Sequence, residues 1–348
     1  MNNNKTPNCR VFLCHSALLN LAIQEIKQAL PGLELHENEP MAAHCSFKIG
    51  GPARALAVPQ DVTSLCRLCY LLKKHELAPY MLGNGTNILF PDEGLPELFL
   101  ISTAKLDRLF LLPDGAIYAE CGVSLARLAG FAQQNALTGL EFASGIPGTV
   151  GGGLIMNAGA YGGELKDVVE SVVVQYLPEQ AMYELTNEQC RFGYRTSLFQ
   201  KTGGIVILSA VFRLEPGDGE AIAEKMRELN ARRRDKQPLD LPSAGSAFKR
   251  PEGHYAAALI EQAGLKGYAI GGAQVSEKHA GFVVNRGGAT SHEVHELMRH
   301  IRRTVYEHSK IALEPEMIIL PPDFKLEDHS PQVPLHRVWG PGVEEEKG

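Results

Sequence analysis

No stretch of the sequence approaches the roughly 20 consecutive apolar residues that cross a bilayer, so no membrane insertion is expected. The N-terminal run Val11-Phe12-Leu13-Cys14 is interrupted by His15, Ser16 and Asn20, which argues against a secretory signal and makes the cytoplasm the default compartment. An excess of cations is also missing. With 34 Lys+Arg against 40 Asp+Glu, the net charge is -6, and no general field draws nucleic acid or an anionic membrane. An anionic substrate must then be met by local cations. Seven scattered cysteines form no even-numbered disulfide framework, which points to a reducing compartment. Cys66-Arg67-Leu68-Cys69 lies in a helical pattern and reads as small buried side chains rather than a redox or zinc site. His292-Glu293-Val294-His295 is one residue short of the spacing that sets two imidazoles on one helical face, so no metal is expected. No sequence signal sets the oligomeric state.

What the sequence has in abundance is glycine at particular places. Ser144 to Glu164, SGIPGTVGGGLIMNAGAYGGE, carries glycine at 145, 148, 151, 152, 153, 159, 162 and 163. Such a backbone can approach a ligand without side-chain interference, and successive exposed N–H groups suit a phosphate or diphosphate. Ile146, Val150, Leu154, Ile155 and Met156 are too apolar for a solvated linker, so the segment reads as a buried wall. A second glycine turn, Gly83-Asn84-Gly85-Thr86-Asn87-Ile88-Leu89, follows the apolar Tyr80-Met81-Leu82. It lacks the third glycine of a dinucleotide fingerprint and the Lys-Ser/Thr end of a P-loop. Alone it reads more readily as a plain strand-to-loop corner. Paired with the longer loop, it suggests one dinucleotide held from both sides, with FAD fitting better than NAD.

The 348 residues, 44% hydrophobic and 21% charged, allow two or three domains with full cores. The organisation expected is a lead-in over 1–40 with a helix at 16–30 capped by Ser16, a domain over 41–215, a second domain over 216–320, and a low-order tail over 321–348. The first domain carries a short strand from Ala55 to Val58 and helices near 61–75 (capped by Asp61) and 124–135. Further strands are expected near 98–102, 116–121, 170–177 and 204–214. The second carries helices near 219–234, 255–263 and 291–309 and strands near 269–275, 281–285 and 316–320. Thr290 and Glu293 form a capping box for the long helix, and the Arg-Arg-Arg-Asp run at 232–235 reads as a solvated helix end. Irregular alternation with closely spaced strand pairs indicates an α+β fold.

Three polar segments stand out: Gly193-Tyr194-Arg195-Thr196-Ser197, Gly245-Ser246-Ala247-Phe248-Lys249-Arg250-Pro251, and Leu313-Glu314-Pro315-Glu316-Met317. Singly, Arg195 could be a surface arginine, Ser246 a turn hydroxyl and Glu316 one acid among 40. Taken in order with FKIGGPA, GNGTNIL, the long glycine segment and GLKGYAIGGAQVSEKHAGFVVN, they make residues 40–320 closely resemble the UDP-N-acetylenolpyruvoylglucosamine reductase (UDP-N-acetylmuramate dehydrogenase) family, in its shorter-loop variant.

The resemblance implies an FAD-binding domain of the vanillyl-alcohol oxidase/PCMH type plus a smaller α+β substrate-binding domain. It implies FAD as cofactor, NADPH as hydride donor, and UDP-N-acetylglucosamine enolpyruvate as substrate. The cofactor would be held by Gly83, Asn84, Gly85, Thr86 and Asn87 from the first loop. From the second it would be held by Ser144, Gly145, Ile146, Pro147, Gly148, Gly151, Gly152, Asn157, Gly159 and Ala160. Arg195 would hold the substrate carboxylate, Ser246 would deliver a proton to carbon, and Glu316 would stabilise the intermediate. Two departures from the family pattern are Ile318, where a basic residue is common, and Cys45, where threonine is frequent. Two other readings are weighed beside it: an oxygen-using FAD-linked oxidase of related fold, and a catalytically silent nucleotide-binding protein.

Overall fold

The computed structural model describes residues 15–201, 203–324 and 336–339; Val11 to Cys14 and most of the tail lie outside the described residues. The first helix is described over His15–Ala29 and already includes the Ser16 expected to cap it. It buries Leu19, Ala22, Ile23 and Ile26 and ends at the Pro31-Gly32 turn. It packs on the helix Val62–Lys74, whose N-cap Asp61 accepts the Ser64 N–H in a capping box. Cys66 and Cys69 lie on that second helix as free thiols, and burial pushes the Cys66 thiol up to about 11. Thiols so hard to ionise are poor nucleophiles and poor metal ligands.

Three sheets of four or more strands organise the described residues, beside three two-stranded pairs. The first runs in the order Glu34–Pro40, Pro52–Val58, Leu95–Ser102, Tyr80–Leu82, with one antiparallel and two parallel pairings. The second is a six-stranded antiparallel sheet in the order His336–Trp339, Ala181–Thr186, Val169–Tyr176, Ile205–Phe212, Ile117–Glu120, Leu109–Leu111. Its inward residues, among them Val172, Val174, Leu208 and Ala210, are fully buried with the helices Leu125–Gln134 and Val150–Met156 in one core. The third sheet orders Ser243–Ser246, Phe282–Asn285, Ala273–Val275 and Ala269–Ile270. It is packed by the helix Ser291–Ser309, whose stripe Val294, Leu297, Met298, Ile301 and Val305 is buried as its spacing predicts.

One sequence expectation changes here. The single strand expected at 269–275 is a tight hairpin, because Gly271 takes φ +54 and turns the chain, while Gly272 donates to the capping Glu293 carboxylate at 3.1 Å. Of the region expected to be a low-order tail, His336–Trp339 pairs at the edge of the six-stranded sheet, with Met182 opposite Trp339. The second hydrophobic core also joins distant parts of the chain. Met41, Phe47, Leu56, Phe90 and Leu100 are buried with Phe248, Ile260, Val294 and Leu313. That shared core holds the first glycine turn and the third sheet in a fixed relation, which is what the site requires.

Candidate active site

The first glycine turn leaves the strand Tyr80–Leu82 and runs back against residues 44–46. Gly85 takes φ +59, and a Cβ there would lie 2.3 Å from the His44 carbonyl oxygen. The Ser46 N–H donates to the Gly85 carbonyl at 3.0 Å. Only glycine fits such a backbone-to-backbone approach. The second glycine loop enters the short helix Val150–Met156 through its N-cap Thr149, whose hydroxyl accepts the Gly152 N–H. The two loops are tied together: Asn84 Nδ2 donates to the Pro147 carbonyl at 3.1 Å. A third segment joins them, since the Ile318 N–H donates to Asn87 O at 2.9 Å and Asn87 Nδ2 to Glu316 O at 3.3 Å.

Between these loops and the third sheet lies a cavity of about 500 Å³. Its walls include Gly83, Asn84, Gly85, Thr86 and Asn87 from the first loop and Ile146, Pro147, Gly148, Gly152, Gly159 and Ala160 from the second. Arg195, Ser246 and Glu316 reach the same cavity from three separate parts of the chain. Two glycine-rich walls, with the charged side chains of Arg195 and Glu316 reaching in beside them, fit a dinucleotide lying along the loops.

Four of the residues expected to touch a cofactor are not on the cavity wall. Gly151 packs against Cys121, and its N–H donates to Cys121 O at 2.8 Å. Gly145 faces the helix Gly219–Lys236, where a Cβ would come 2.5 Å from Asn230 Oδ1. The Ser144 hydroxyl donates to Glu141 O at 2.9 Å. Asn157 is buried in the left-handed region at φ 42, its amide donating to Glu164 and to Gly193 O while its carbonyl oxygen accepts the Lys166 N–H. The bond to Gly193 matters indirectly, because it anchors the turn that presents Arg195. The Ser197 hydroxyl anchors the same turn to Ile155 O at 2.7 Å.

Arg195 itself sits at φ 52, so its side chain leaves the turn toward the cavity. Its Nε donates to Glu316 Oε1 at 2.7 Å and a terminal nitrogen to Gly159 O at 3.2 Å. Glu316 and Ser246 are fixed to each other by an antiparallel bridge between Phe248 and Pro315. Within it the Glu316 N–H donates to Ala247 O at 3.0 Å and the Lys249 N–H to Glu314 O at 2.9 Å. On its other side Ser246 stands opposite Phe282 in the sheet. Burial raises the Glu316 carboxyl above the ordinary carboxylate range, and the charge and hydrogen bond of Arg195, with a smaller pull from Lys249, oppose it.

Several lining residues were not singled out by sequence reasoning. Arg233, from the run read as a solvated helix end, is half-buried on the cavity wall and has no carboxylate partner among the described residues. Burial lowers its pKa, so an anionic ligand would relieve it. Its neighbours Arg232 and Arg234 are exposed, and only the rotation of the helix distinguishes the three. Lys236, Gln237, His279 and Phe282 line the same side. The His279 Nδ1 accepts the Gly281 N–H at 3.1 Å, which leaves Nε2 to carry the proton, and burial depresses its pKa.

Fold and cavity together define a flavin-binding oxidoreductase. Residues 53–177 match the profile of an FAD binding domain, and residues 237–320 match that of the UDP-N-acetylenolpyruvoylglucosamine reductase C-terminal domain. A UDP-N-acetylenolpyruvoylglucosamine reductase of Caldanaerobacter subterraneus is 47% identical over 303 residues, covering 87% of this chain and 99% of that protein. Another, from Limosilactobacillus reuteri, is 45% identical over 290 residues, covering 83% and 96%. The crystal structure of the Thermus caldophilus enzyme of the same name superposes with a TM-score of 0.70 at 33% identity, covering 83% of this chain and 99% of that one. The chain belongs to the UDP-N-acetylenolpyruvoylglucosamine reductase family.

Proposed function

We propose that this protein is an NADPH-dependent flavoenzyme that reduces the enolpyruvyl group of UDP-N-acetylglucosamine enolpyruvate to the lactyl ether of UDP-N-acetylmuramate, a step of peptidoglycan precursor synthesis. The observation that carries the reading is the meeting of Arg195, Ser246 and Glu316 at one cavity whose other walls are the two glycine loops. FAD would lie along 83–87 and 146–152, and when bound it supplies the hydride chemistry, accepting hydride from NADPH and releasing it to the methylene carbon. Both substrates are soluble nucleotides, which supports action in the cytoplasm.

The protein's own task is to manage charge and one proton. Hydride addition to the methylene leaves an electron pair on the neighbouring carbon, delocalised into the carboxylate. Arg195 offers that carboxylate charge-assisted hydrogen bonds worth about 1.5–3 kcal/mol each. The Ser246 hydroxyl delivers the proton that completes the new C–H bond; a positioned acid contributes about 10²–10⁴ in rate. Glu316, its carboxyl held above the ordinary range by burial, retains its proton to higher pH and donates a hydrogen bond to the developing enolate. Ile318 offers no cation from its own place on the wall, so Arg195 is the group assigned to the carboxylate. Arg233 and Lys236 supply positive charge on the wall toward the third sheet.

The test is anaerobic. The purified protein, loaded with FAD, is expected to bleach on adding NADPH and to recover its absorbance on adding the enolpyruvyl sugar nucleotide. Recovery only with oxygen would favour the oxidase reading, and failure to take up FAD would favour a silent nucleotide-binding protein.

A further inference from the structure

The residue next to Arg195 does not line the cavity, yet it touches both catalytic segments. The Tyr194 ring lies against the Arg195 guanidinium, 5.3 Å from carbon to ring centroid. Its hydroxyl accepts the backbone N–H of Arg250 at 3.1 Å, across a sequence separation of 56 residues. Arg250 is four residues beyond Ser246 on the segment already zipped to Glu316 through the Phe248–Pro315 bridge. Its side chain is held aside over the Tyr255 ring at 4.3 Å, so the contact with Tyr194 is made by the main chain and does not depend on the arginine side chain.

We propose that Tyr194 is a positioning residue that sets the separation between the group holding the substrate carboxylate and the group delivering the proton. The ring restricts the Arg195 guanidinium, which leaves a turn at φ 52 and has its other contacts at Glu316 and Gly159. The hydroxyl fixes the Ser246 segment relative to that same turn. A single side chain thus measures the distance across the cavity between two parts of the chain that share no strand pairing. Tyr194 is half exposed, at 51%, so its packing contribution is small and its substitutions leave the fold intact.

The inference rests on the proposed reaction, and the two can fail separately. Tyr194→Phe keeps the ring and removes the acceptor; Tyr194→Leu removes both. Hydrogen exchange reads the first contact directly: the Arg250 amide is expected to exchange about tenfold faster in Tyr194→Phe, the equivalent of one neutral hydrogen bond. In the FAD-loaded protein, Tyr194→Phe is expected to slow reoxidation by the enolpyruvyl nucleotide about tenfold, leaving KM and flavin reduction by NADPH within about twofold. Tyr194→Leu is expected to raise KM as well, because Arg195 loses its support. An unchanged Arg250 amide, or equal slowing of both half-reactions, overturns the inference. A wild-type protein that the enolpyruvyl nucleotide does not reoxidise overturns the functional reading, while the exchange data still decide the latch.

Discussion

Replacing Gly83 by alanine puts a methyl group 2.6 Å from the Thr149 hydroxyl oxygen, well inside van der Waals contact. Thr149 has little room to withdraw. It is 2% exposed, caps the helix Val150–Met156, pairs with Ser124, and accepts the Gly152 N–H. Relief must come from rotating the threonine out of its cap, at about 1 kcal/mol, or from parting the two glycine loops, with overpacking strain of about 1–3 kcal/mol. Either route alters the wall on which FAD would lie. If the loops part, the Asn84–Pro147 bond stretches and the same 1–3 kcal/mol appears as roughly a 5- to 150-fold weaker Kd for FAD. Equilibrium titration of FAD fluorescence measures that Kd, and thermal unfolding of the FAD-free protein measures the strain. Gly130→Ala is the control. Its methyl meets nothing within 4 Å on the helix Leu125–Gln134, so stability should rise by about 0.5–1 kcal/mol with FAD affinity unchanged. Wild-type FAD affinity in Gly83→Ala would refute the claim that the loops jointly form the cofactor wall.

Glu316 supplies a pH test. Because burial raises its carboxyl, the group is protonated below that raised value and ionises above it. Substrate reduction should therefore fall as pH rises through it, while Glu316→Gln, permanently neutral, should retain activity within about tenfold and lose this alkaline limb. A limb that persists in Glu316→Gln assigns it to another group. His279 supplies a stability test. Burial depresses its folded pKa below the ordinary 6.5, so between the two values the unfolded chain binds the proton and the folded chain does not. Its contribution is intact above pH 6.5 and is lost as pH falls toward the folded value. The drop in Tm from about pH 7.5 to about pH 5.5 should be smaller in His279→Gln. His295, also depressed by burial, is unaltered by that substitution and cancels in the comparison.

The parts legible in the sequence were those written in local chemistry. The capping box at Thr290, the stripe of the helix Ser291–Ser309 and the two glycine loops each carry a signal within a few residues. What stayed hidden depends on orientation or distant pairing. Asn157 sits inside the glycine-rich motif like its neighbours, but a left-handed, buried conformation turns its amide toward Gly193 and away from the cavity. Arg233 cannot be told from Arg232 or Arg234 until the helix has a face against the cavity. The His336–Trp339 strand is recognisable only beside Ala181–Thr186, some 150 residues earlier, and nothing in a charged, proline-rich tail announces it.

The proton from Ser246 is the step on which the functional account depends most, and one anaerobic stopped-flow comparison isolates it. In Ser246→Ala the flavin should still be bleached by NADPH at a rate close to wild type, while its recovery on mixing with the enolpyruvyl sugar nucleotide should nearly stop. Recovery at the wild-type rate, or equal loss of both phases, would contradict the account.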